Sequence, residues 1–147
     1  MKTILAAIDG SARQPDVVRA AIALARNDGA TVVLLRCVSV PAEVPIEALT
    51  ASPGDVPALL EAHAMKELEA VKARISPEVP TRLRAILATP WVGIERVARE
   101  ENADLIVVGS HGYTGMDRIL GTTAAKVVNH ADRSVLVVRD VGRLTTE

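Results

Sequence analysis

The segment DLIVVGSHGYTGMDRILGTTAAKVVNH, residues Asp104–His130, decides the fold. It begins with an apolar, β-branched run typical of a buried strand and ends with a segment of helical character. Between them, residues 109–123 contain four glycines and four serine or threonine residues. The segment therefore predicts a strand, a glycine-rich loop and a helix in succession, which is one unit of an α/β fold.

The same alternation of strand and helix extends through the rest of the chain. Strands are predicted at Thr3–Asp9, Thr31–Val40, Pro80–Leu87, Asp104–Ser110 and Ser134–Arg139, and helices are predicted to begin near Gln14, Pro57, Pro90 and Thr122. The leading Pro80 and the alternation of Arg82 and Arg84 with apolar residues suit an edge strand. Three prolines predict a long loop over Pro41–Asp55. Strict alternation predicts a doubly wound α/β domain over residues 1–147, a three-layer sandwich with a parallel sheet and four helices.

Composition excludes several classes of function. Hydrophobic residues make up 49% of the 147-residue chain and aromatic residues only 1%, which argues against stacking-based binding of single-stranded nucleic acid. The formal net charge is −1 and no basic cluster occurs, so we expect no nucleic-acid partner. The apolar run at the N-terminus ends at Asp9, and no apolar run is long enough to cross a membrane. The single cysteine, Cys37, favours a reducing, cytoplasmic setting.

Two glycine-rich turns are candidates for an anion site. Ligands of open α/β sheets bind beyond the carboxyl ends of the strands, where Asp9 and the Gly109–Gly112 turn are expected. Glycines allow backbone N–H groups to approach an anion, and Gly121-Thr122-Thr123 begins a helix whose free N–H groups favour phosphate. The spacing matches neither a Walker P-loop nor the Rossmann fingerprint.

Each of these residues also has a structural interpretation. The glycines are compatible with ordinary turns, and Thr122 is compatible with a simple N-cap. Asp9 is suited to a ribose hydroxyl or to an Asx-turn, and His111 to a phosphate or to solvent. Arg118 is expected at the surface, Cys37 as a small buried hydrophobe, and Trp91 in packing at a helix start. His63 and His130 have no metal-ligand spacing.

Four segments of the chain resemble the universal stress protein family of the single-domain, ATP-binding type. They are AAIDGS (residues 6–11), LLRCVSV (34–40), ATPWVGIERVAREENADLIVVGSHG (88–112) and GTTAAKVVNHADRSVLVVR (121–139). The family's nucleotide pattern is Gly, two residues, Gly, nine residues, and Gly followed by Ser or Thr. Gly109, Gly112 and Gly121-Thr122 match this pattern, except that eight residues, rather than nine, separate Gly112 from Gly121. This shorter spacing resembles one subgroup of the bacterial family.

The resemblance implies that the chain binds ATP, AMP or ADP, with Mg²⁺ held only through the phosphates. It implies that glycines and threonines hold phosphate, that Asp9 holds the ribose, and that a backbone group near Val38 faces the adenine. No metal ligand and no catalytic residue is assigned. The implied nucleotide-binding residues are Ala7, Asp9, Val38, Gly109, His111, Gly112, Gly121, Thr122 and Thr123.

The resemblance also implies the strand order 3-2-1-4-5 and a homodimer formed through the last strands. In that order the last strand lies at an edge, yet Val135–Val138 are four consecutive apolar residues without an inward charge. An edge of this kind is expected to be covered by a partner, or alternatively by the C-terminal tail or a loop.

Three functions are compatible with these features. The leading one is a nucleotide-binding regulatory protein of the stress response, with an unidentified protein partner. The second is a slow ATPase, for which Asp9, Asp117 and His111 are the nearby acid–base groups. The third is a nucleotide-free interaction module, which the glycine pattern argues against.

Overall fold

A computed structural model describes residues 1–10, 14–39, 55–110 and 120–139 of the chain. Within these residues five strands alternate with four helices. The elements are β1 (Thr3–Ile8), α1 (Gln14–Asp28), β2 (Thr31–Val38), α2 (Asp55–Lys72), β3 (Thr81–Leu87), α3 (Pro90–Glu100), β4 (Leu105–Gly109), α4 (Thr122–His130) and β5 (Ser134–Val138). The predicted alternation is confirmed, and the observed strands are one or two residues shorter than predicted.

The five strands form one parallel sheet in the order β3-β2-β1-β4-β5. Ile4 of β1 is paired with Val32 of β2 on one side and with Leu105 of β4 on the other. The doubly wound α/β class predicted from the alternation of strand and helix is therefore confirmed, and so is the strand order implied by the resemblance. This order places the carboxyl ends of β1 and β4 side by side. The crevice between them is the topological switch point, where the strand order reverses.

Side chains of the central strands alternate between two hydrophobic clusters. On one face, Ile4 and Ala6 of β1 pack with Ala21 of α1 and Leu68 of α2. On the other face, Leu5 lies in a cluster with buried residues of α3 and α4. Because the period of a strand is two residues, Ala7 and Asp9 follow Leu5 onto the α3–α4 face. This alternation decides which side chains reach the site.

The second helix differs most from its prediction. It begins at Asp55, two residues before the predicted start at Pro57, because proline is tolerated in a first turn, where N–H groups have no helical partner. It ends at Lys72, and Ile75 follows in a turn while still packing on the core. Asp55 was therefore wrongly assigned to the loop over Pro41–Asp55, and residues 41–54 of that prediction lie outside the described residues.

The β3 edge of the sheet carries the predicted arginines. Arg82 is 2.7 Å from Glu101, and Arg84 contacts both Glu100 and Glu101, at 2.6 and 2.8 Å. These charged pairs protect the exposed edge of the sheet, and the position of β3 at that edge confirms the prediction of an edge strand.

Trp91 packs against the core at the start of α3, as predicted. No helix among the described residues is long and apolar enough to cross a membrane.

Candidate functional site

The turn after β1 directs Asp9 toward the crevice between β1 and β4. Gly10 has a φ of +76°, a conformation that costs an L-residue strain and that glycine adopts freely. Its N–H donates to Oε1 of Gln14 at 2.9 Å, which joins the turn to the first residue of α1. The strand alternation and this bend place Asp9 in the cavity at the carboxyl edge.

Backbone hydrogen bonds hold the end of β4 close to the start of α4. The N–H of Ser110 donates to the carbonyl of Val138 at 2.9 Å, and the carbonyl of Ser110 accepts the N–H of Gly121 at 3.2 Å. Gly121 is the extended N-cap of α4, and no described side chain caps this terminus. The free N–H groups of the first turn and the positive end of the helix dipole are therefore available to an anion.

These elements enclose a cavity of about 420 Å³, which we call the crevice cavity. Its polar lining comes from the ends of β1 and β4 and the first turn of α4: Asp9, Gly10, Gly109, Thr122 and Thr123. Its apolar lining comes from three strands and α3: Ala7, Ile8, Leu35, Cys37, Pro90, Ile94 and Val108. A mostly apolar cavity with a few convergent polar groups is typical of a small-molecule site.

The structure brings together most of the predicted site residues that it describes. Five of them line the crevice cavity: Ala7, Asp9, Gly109, Thr122 and Thr123. Gly121 directly precedes Thr122 as the N-cap of α4. Val38 is outside this lining, and its carbonyl accepts the N–H of Ala88 at 2.9 Å. His111, Gly112 and Arg118 lie outside the described residues.

Apart from Ala7, the apolar lining was missed by sequence reasoning, and Cys37 is its most informative member. Burial raises the pKa of the Cys37 thiol to about 11, although Arg96 and Arg36 act in the opposite direction. The thiol is therefore protonated at neutral pH, and its Sγ lies 3.8 Å from the carbonyl of Pro90. The signal that could have found it is the period of β2, because Leu35 and Cys37 face the same side as buried Val33.

Gly93 allows α3 to approach the sheet closely enough to form one wall of the cavity. A Cβ at this position would lie 2.7 Å from Sγ of Cys37 and 2.9 Å from Cδ1 of Ile86. Real Cβ atoms are not found at such distances, so with any larger residue either α3 or the side chains of Cys37 and Ile86 must shift. The close approach positions Pro90 and Ile94, which both contact the cavity.

Arg36 lies beneath the Gly10 turn, on the opposite face of the sheet from the cavity. A Cβ added at Gly10 would be 3.0 Å from Nη1 of Arg36. Nε of Arg36 is 3.4 Å from the carboxylate of Glu67 on α2, which also lies 3.0 Å from Nε2 of His63. The guanidinium thus fills the space under the turn and ties it to α2.

The described residues contain no group of three or more His, Cys, Asp or Glu side chains able to hold a metal ion. Asp9 is the one carboxylate among the described residues that line the crevice cavity. A single carboxylate is too few oxygen ligands for a directly bound cation. The N–H groups of α4 and the carboxylate of Asp9 are better suited to a ligand that carries both an anionic group and hydroxyl groups.

Comparison with known proteins identifies the chain's relatives. The family model described as the universal stress protein family matches residues 1–139. Universal stress protein A homolog 1 of Coxiella burnetii is 31% identical over 150 residues, which cover 93% of this chain and 95% of that protein. Universal stress protein MJ0531 of Methanocaldococcus jannaschii is 32% identical over 141 residues, covering 94% of this chain and 82% of the relative.

Solved structures of related proteins share the fold. The protein MJ0577 of Methanocaldococcus jannaschii superposes with a TM-score of 0.78 at 24% identity, covering 95% of this chain and 96% of the other. A universal stress protein in complex with cAMP has a TM-score of 0.64 at 23% identity, with coverages of 94% and 96%. The universal stress protein from Archaeoglobus fulgidus in complex with dAMP has a TM-score of 0.58 at 19% identity, with coverages of 95% and 98%.

Proposed function

Because the chain belongs to the universal stress protein family, we propose that it is an adenine-nucleotide-binding regulatory protein of the stress response. The observation that carries the proposal is the crevice cavity, where the open N-terminus of α4 and the carboxylate of Asp9 line one space of about 420 Å³. A helix N-terminus holds phosphate, and a carboxylate at a strand end accepts ribose hydroxyls. The two groups are thus complementary to the two polar parts of a nucleotide.

The phosphates are assigned to the first turn of α4 and the end of β4. Thr122 and Thr123 offer backbone N–H groups and hydroxyls, and Gly109 lets the backbone approach without a side chain. Gly121 is extended, so the helix begins at Thr122 with its first N–H groups directed away from the helix. We propose that His111 and Gly112 extend this phosphate site, and that Mg²⁺ is held through the phosphates.

The nucleoside is assigned to the other end of the cavity. Asp9 accepts hydrogen bonds from the ribose hydroxyls, and Ala7 and the backbone near Val38 flank the adenine. Leu35, Cys37 and Ile94 add an apolar wall suited to a purine face. Two relatives of the same fold, solved with cAMP and with dAMP, support an adenosine-phosphate ligand, with ATP or AMP as the proposed physiological form.

We propose further that the protein is a homodimer through β5. This strand lies at an edge of the sheet, and Leu136 is 37% exposed there. β3, at the other edge, carries ion-paired arginines, whereas β5 presents Val135–Val138 without a charge. An apolar edge strand is a template for pairing with a second chain, which favours an antiparallel β5–β5 contact.

Cellular location and domain organisation are inferred from the cysteine content and from the sheet. The single cysteine favours a reducing compartment such as the cytoplasm. Residues 1–147 are proposed to form one domain, because the one sheet draws strands from Thr3–Ile8 to Ser134–Val138.

Two measurements test nucleotide binding. The ultraviolet spectrum and mass spectrum of the purified protein should reveal co-purified adenine nucleotide, because one Trp and one Tyr give the chain little absorbance of its own. Isothermal titration of the nucleotide-free protein should then give saturable binding of ATP or AMP. Absence of heat with both ligands would contradict the proposal, whereas turnover of ATP that Asp9→Ala abolishes would point to hydrolysis.

The dimer is tested by light scattering on two variants of equal charge change. Leu136→Lys places a charge on the β5 edge and should give monomers. Val128→Lys alters an equally exposed position on α4, 45% exposed, and should leave dimers. A wild-type chain that is monomeric at high concentration would remove this part of the proposal.

A further inference from the structure

A second concavity lies between α1 and α2, on the face of the sheet opposite the crevice cavity. This α1–α2 groove has a volume of about 420 Å³ and shares no lining residue with the crevice cavity. Its apolar residues are Pro15, Ala23, Val18 and Ile22 of α1, Val71 of α2, and Ile75 in the turn that follows α2. The last four are partly buried against the core, so they form a firm apolar floor.

The groove is rimmed by three arginines, and no carboxylate is among the described residues that line it. Arg19 is 2.9 Å from Asp16, and Arg26 is 3.2 Å from Glu78. Arg74, the third, makes no ion pair within the part of the chain that the structure describes. The groove therefore offers one uncompensated positive charge, although the whole chain has a net charge of −1.

The shape of the groove selects among anionic partners. On α1 it extends from Gln14 to Arg26, about 18 Å along the helix. On the α2 side its floor is only one turn long, from Val71 to Ile75. A docked partner helix needs apolar anchors over several turns, which the short wall does not provide. A narrow flexible chain needs only a continuous apolar floor, and the volume lies in the range of small-molecule sites.

We propose that the α1–α2 groove binds a medium-chain fatty carboxylate. The carboxylate head pairs with the guanidinium of Arg74, and the hydrocarbon tail runs over Ile75, Val71 and Ile22 toward Val18. The apolar floor supplies the main attraction, because it leaves water when the tail covers it. The single uncompensated charge of Arg74 selects an anionic head over a neutral or cationic one.

The probe for this proposal is dodecanoate, added to the full-length protein below its micelle concentration. Methyl NMR should show saturable shifts at Ile22, Val71 and Ile75. Dodecyltrimethylammonium, which has the same tail and the opposite charge, should shift the same methyl signals with an affinity at least about tenfold lower. Arg74→Gln should weaken dodecanoate binding about tenfold. Lys72→Gln removes the same charge from an exposed residue outside the groove lining and should bind dodecanoate as the wild type does.

Three results would overturn the proposal. They are an absence of shifts at the groove methyls, equal affinity for dodecanoate and the cationic detergent, and equal dodecanoate affinity in Arg74→Gln and wild type. Titration of ATP into the same samples separates this site from the crevice cavity, since the two linings share no residue. Arg74→Gln should leave ATP affinity unchanged whether or not dodecanoate binds.

Discussion

At the amino edge of the sheet, side chains satisfy the backbone groups of distant segments, whereas at the carboxyl edge no side chain among the described residues caps α4. The carboxylate of Asp104 accepts the N–H groups of Lys2 and Thr3 at 2.7 and 2.9 Å. Nη1 of Arg133 donates to the carbonyls of Ala98 and Ala103 at 2.8 and 2.9 Å. At the carboxyl edge, by contrast, no described side chain caps α4 at Thr122.

The two edges of the sheet therefore have different roles: the amino edge stabilises the fold, and the carboxyl edge is available to a ligand. Groups that are satisfied within the chain stabilise the fold and have nothing left to offer a ligand. Groups that the chain leaves open contribute little to the fold and are available to an anion. Substitutions at the amino edge are therefore expected to lower the free energy of unfolding, and those at the carboxyl edge to lower nucleotide affinity.

The largest effect is expected at Arg133, whose side chain is 17% exposed. Arg133→Met removes the two charge-assisted hydrogen bonds to backbone carbonyls and the hydrogen bond to Asp132, and it should lower the free energy of unfolding by about 3 kcal/mol. Urea denaturation measures this loss, and ATP affinity should stay at the wild-type value. Arg19→Met is the control, because Arg19 is 72% exposed and its single ion pair contributes under about 1 kcal/mol. Equal losses in the two variants would contradict this account of the amino edge.

At the carboxyl edge, Thr122→Asp should change stability and binding in opposite directions. A carboxylate in the first turn favours the dipole of α4 and should raise the free energy of unfolding by up to about 1 kcal/mol. The same charge repels a phosphate at that terminus and should weaken ATP binding more than about tenfold. Thermal unfolding and isothermal titration give the two values. Unchanged affinity would place the phosphate elsewhere.

Two glycines with similar backbones provide a matched pair across the two edges. Gly10 and Gly29 have φ values of +76° and +68°, so an alanine at either costs about 1 kcal/mol of strain. A Cβ at Gly29 meets nothing within 4 Å, whereas one at Gly10, the residue directly after Asp9, would lie 3.0 Å from Nη1 of Arg36 and would disturb the turn that holds Asp9. Both variants should lose similar stability, but only Gly10→Ala should weaken ATP binding. Weakened binding in Gly29→Ala would break the distinction.

The smallest effect is a pH dependence at Asp104. The N–H groups of Thr3 and Lys2 lower the pKa of this carboxyl below its ordinary value of 3.8. A lowered pKa in the folded state stabilises the fold above the ordinary value, and this contribution is lost as the pH falls through the lowered pKa. Asp104→Asn should therefore lower Tm at neutral pH, and the difference from wild type should shrink below about pH 4. A difference that is constant down to pH 2 would exclude this origin.

The sequence predicted the local elements and much of the polar lining, because these depend on short-range patterns. Alternation of strand and helix predicted the fold class, and glycines beside threonines indicated a candidate anion site at Gly109 and Thr122, both of which line the crevice cavity. The resemblance to the family supplied the strand order, which placed Asp9 opposite them. The helix bounds were less accurate, since α2 begins at Asp55 and leaves Ile75 in a turn.

The parts that were not predicted depend on contacts between distant segments. Cys37 and Ile94 line the cavity only because Gly93 lets α3 approach β2 and β3, and no local pattern encodes that distance. Arg133 and Asp104 resemble ordinary surface charges in the sequence, although their partners lie about 30 and 101 positions away. Val38 was assigned by resemblance alone, and the cavity is lined instead by its neighbour Cys37.

Amide NMR during titration with AMP tests the contrast between the two edges most directly. The amide signals of Asp9, Gly109, Thr122 and Thr123 should shift saturably with the ligand. Those of Lys2, Thr3, Ala103 and Asp104 should stay in place, because their hydrogen bonds close the opposite edge. Shifts at the amino edge, or no saturable shift at the carboxyl edge, would contradict the assignment of a nucleotide to the crevice cavity.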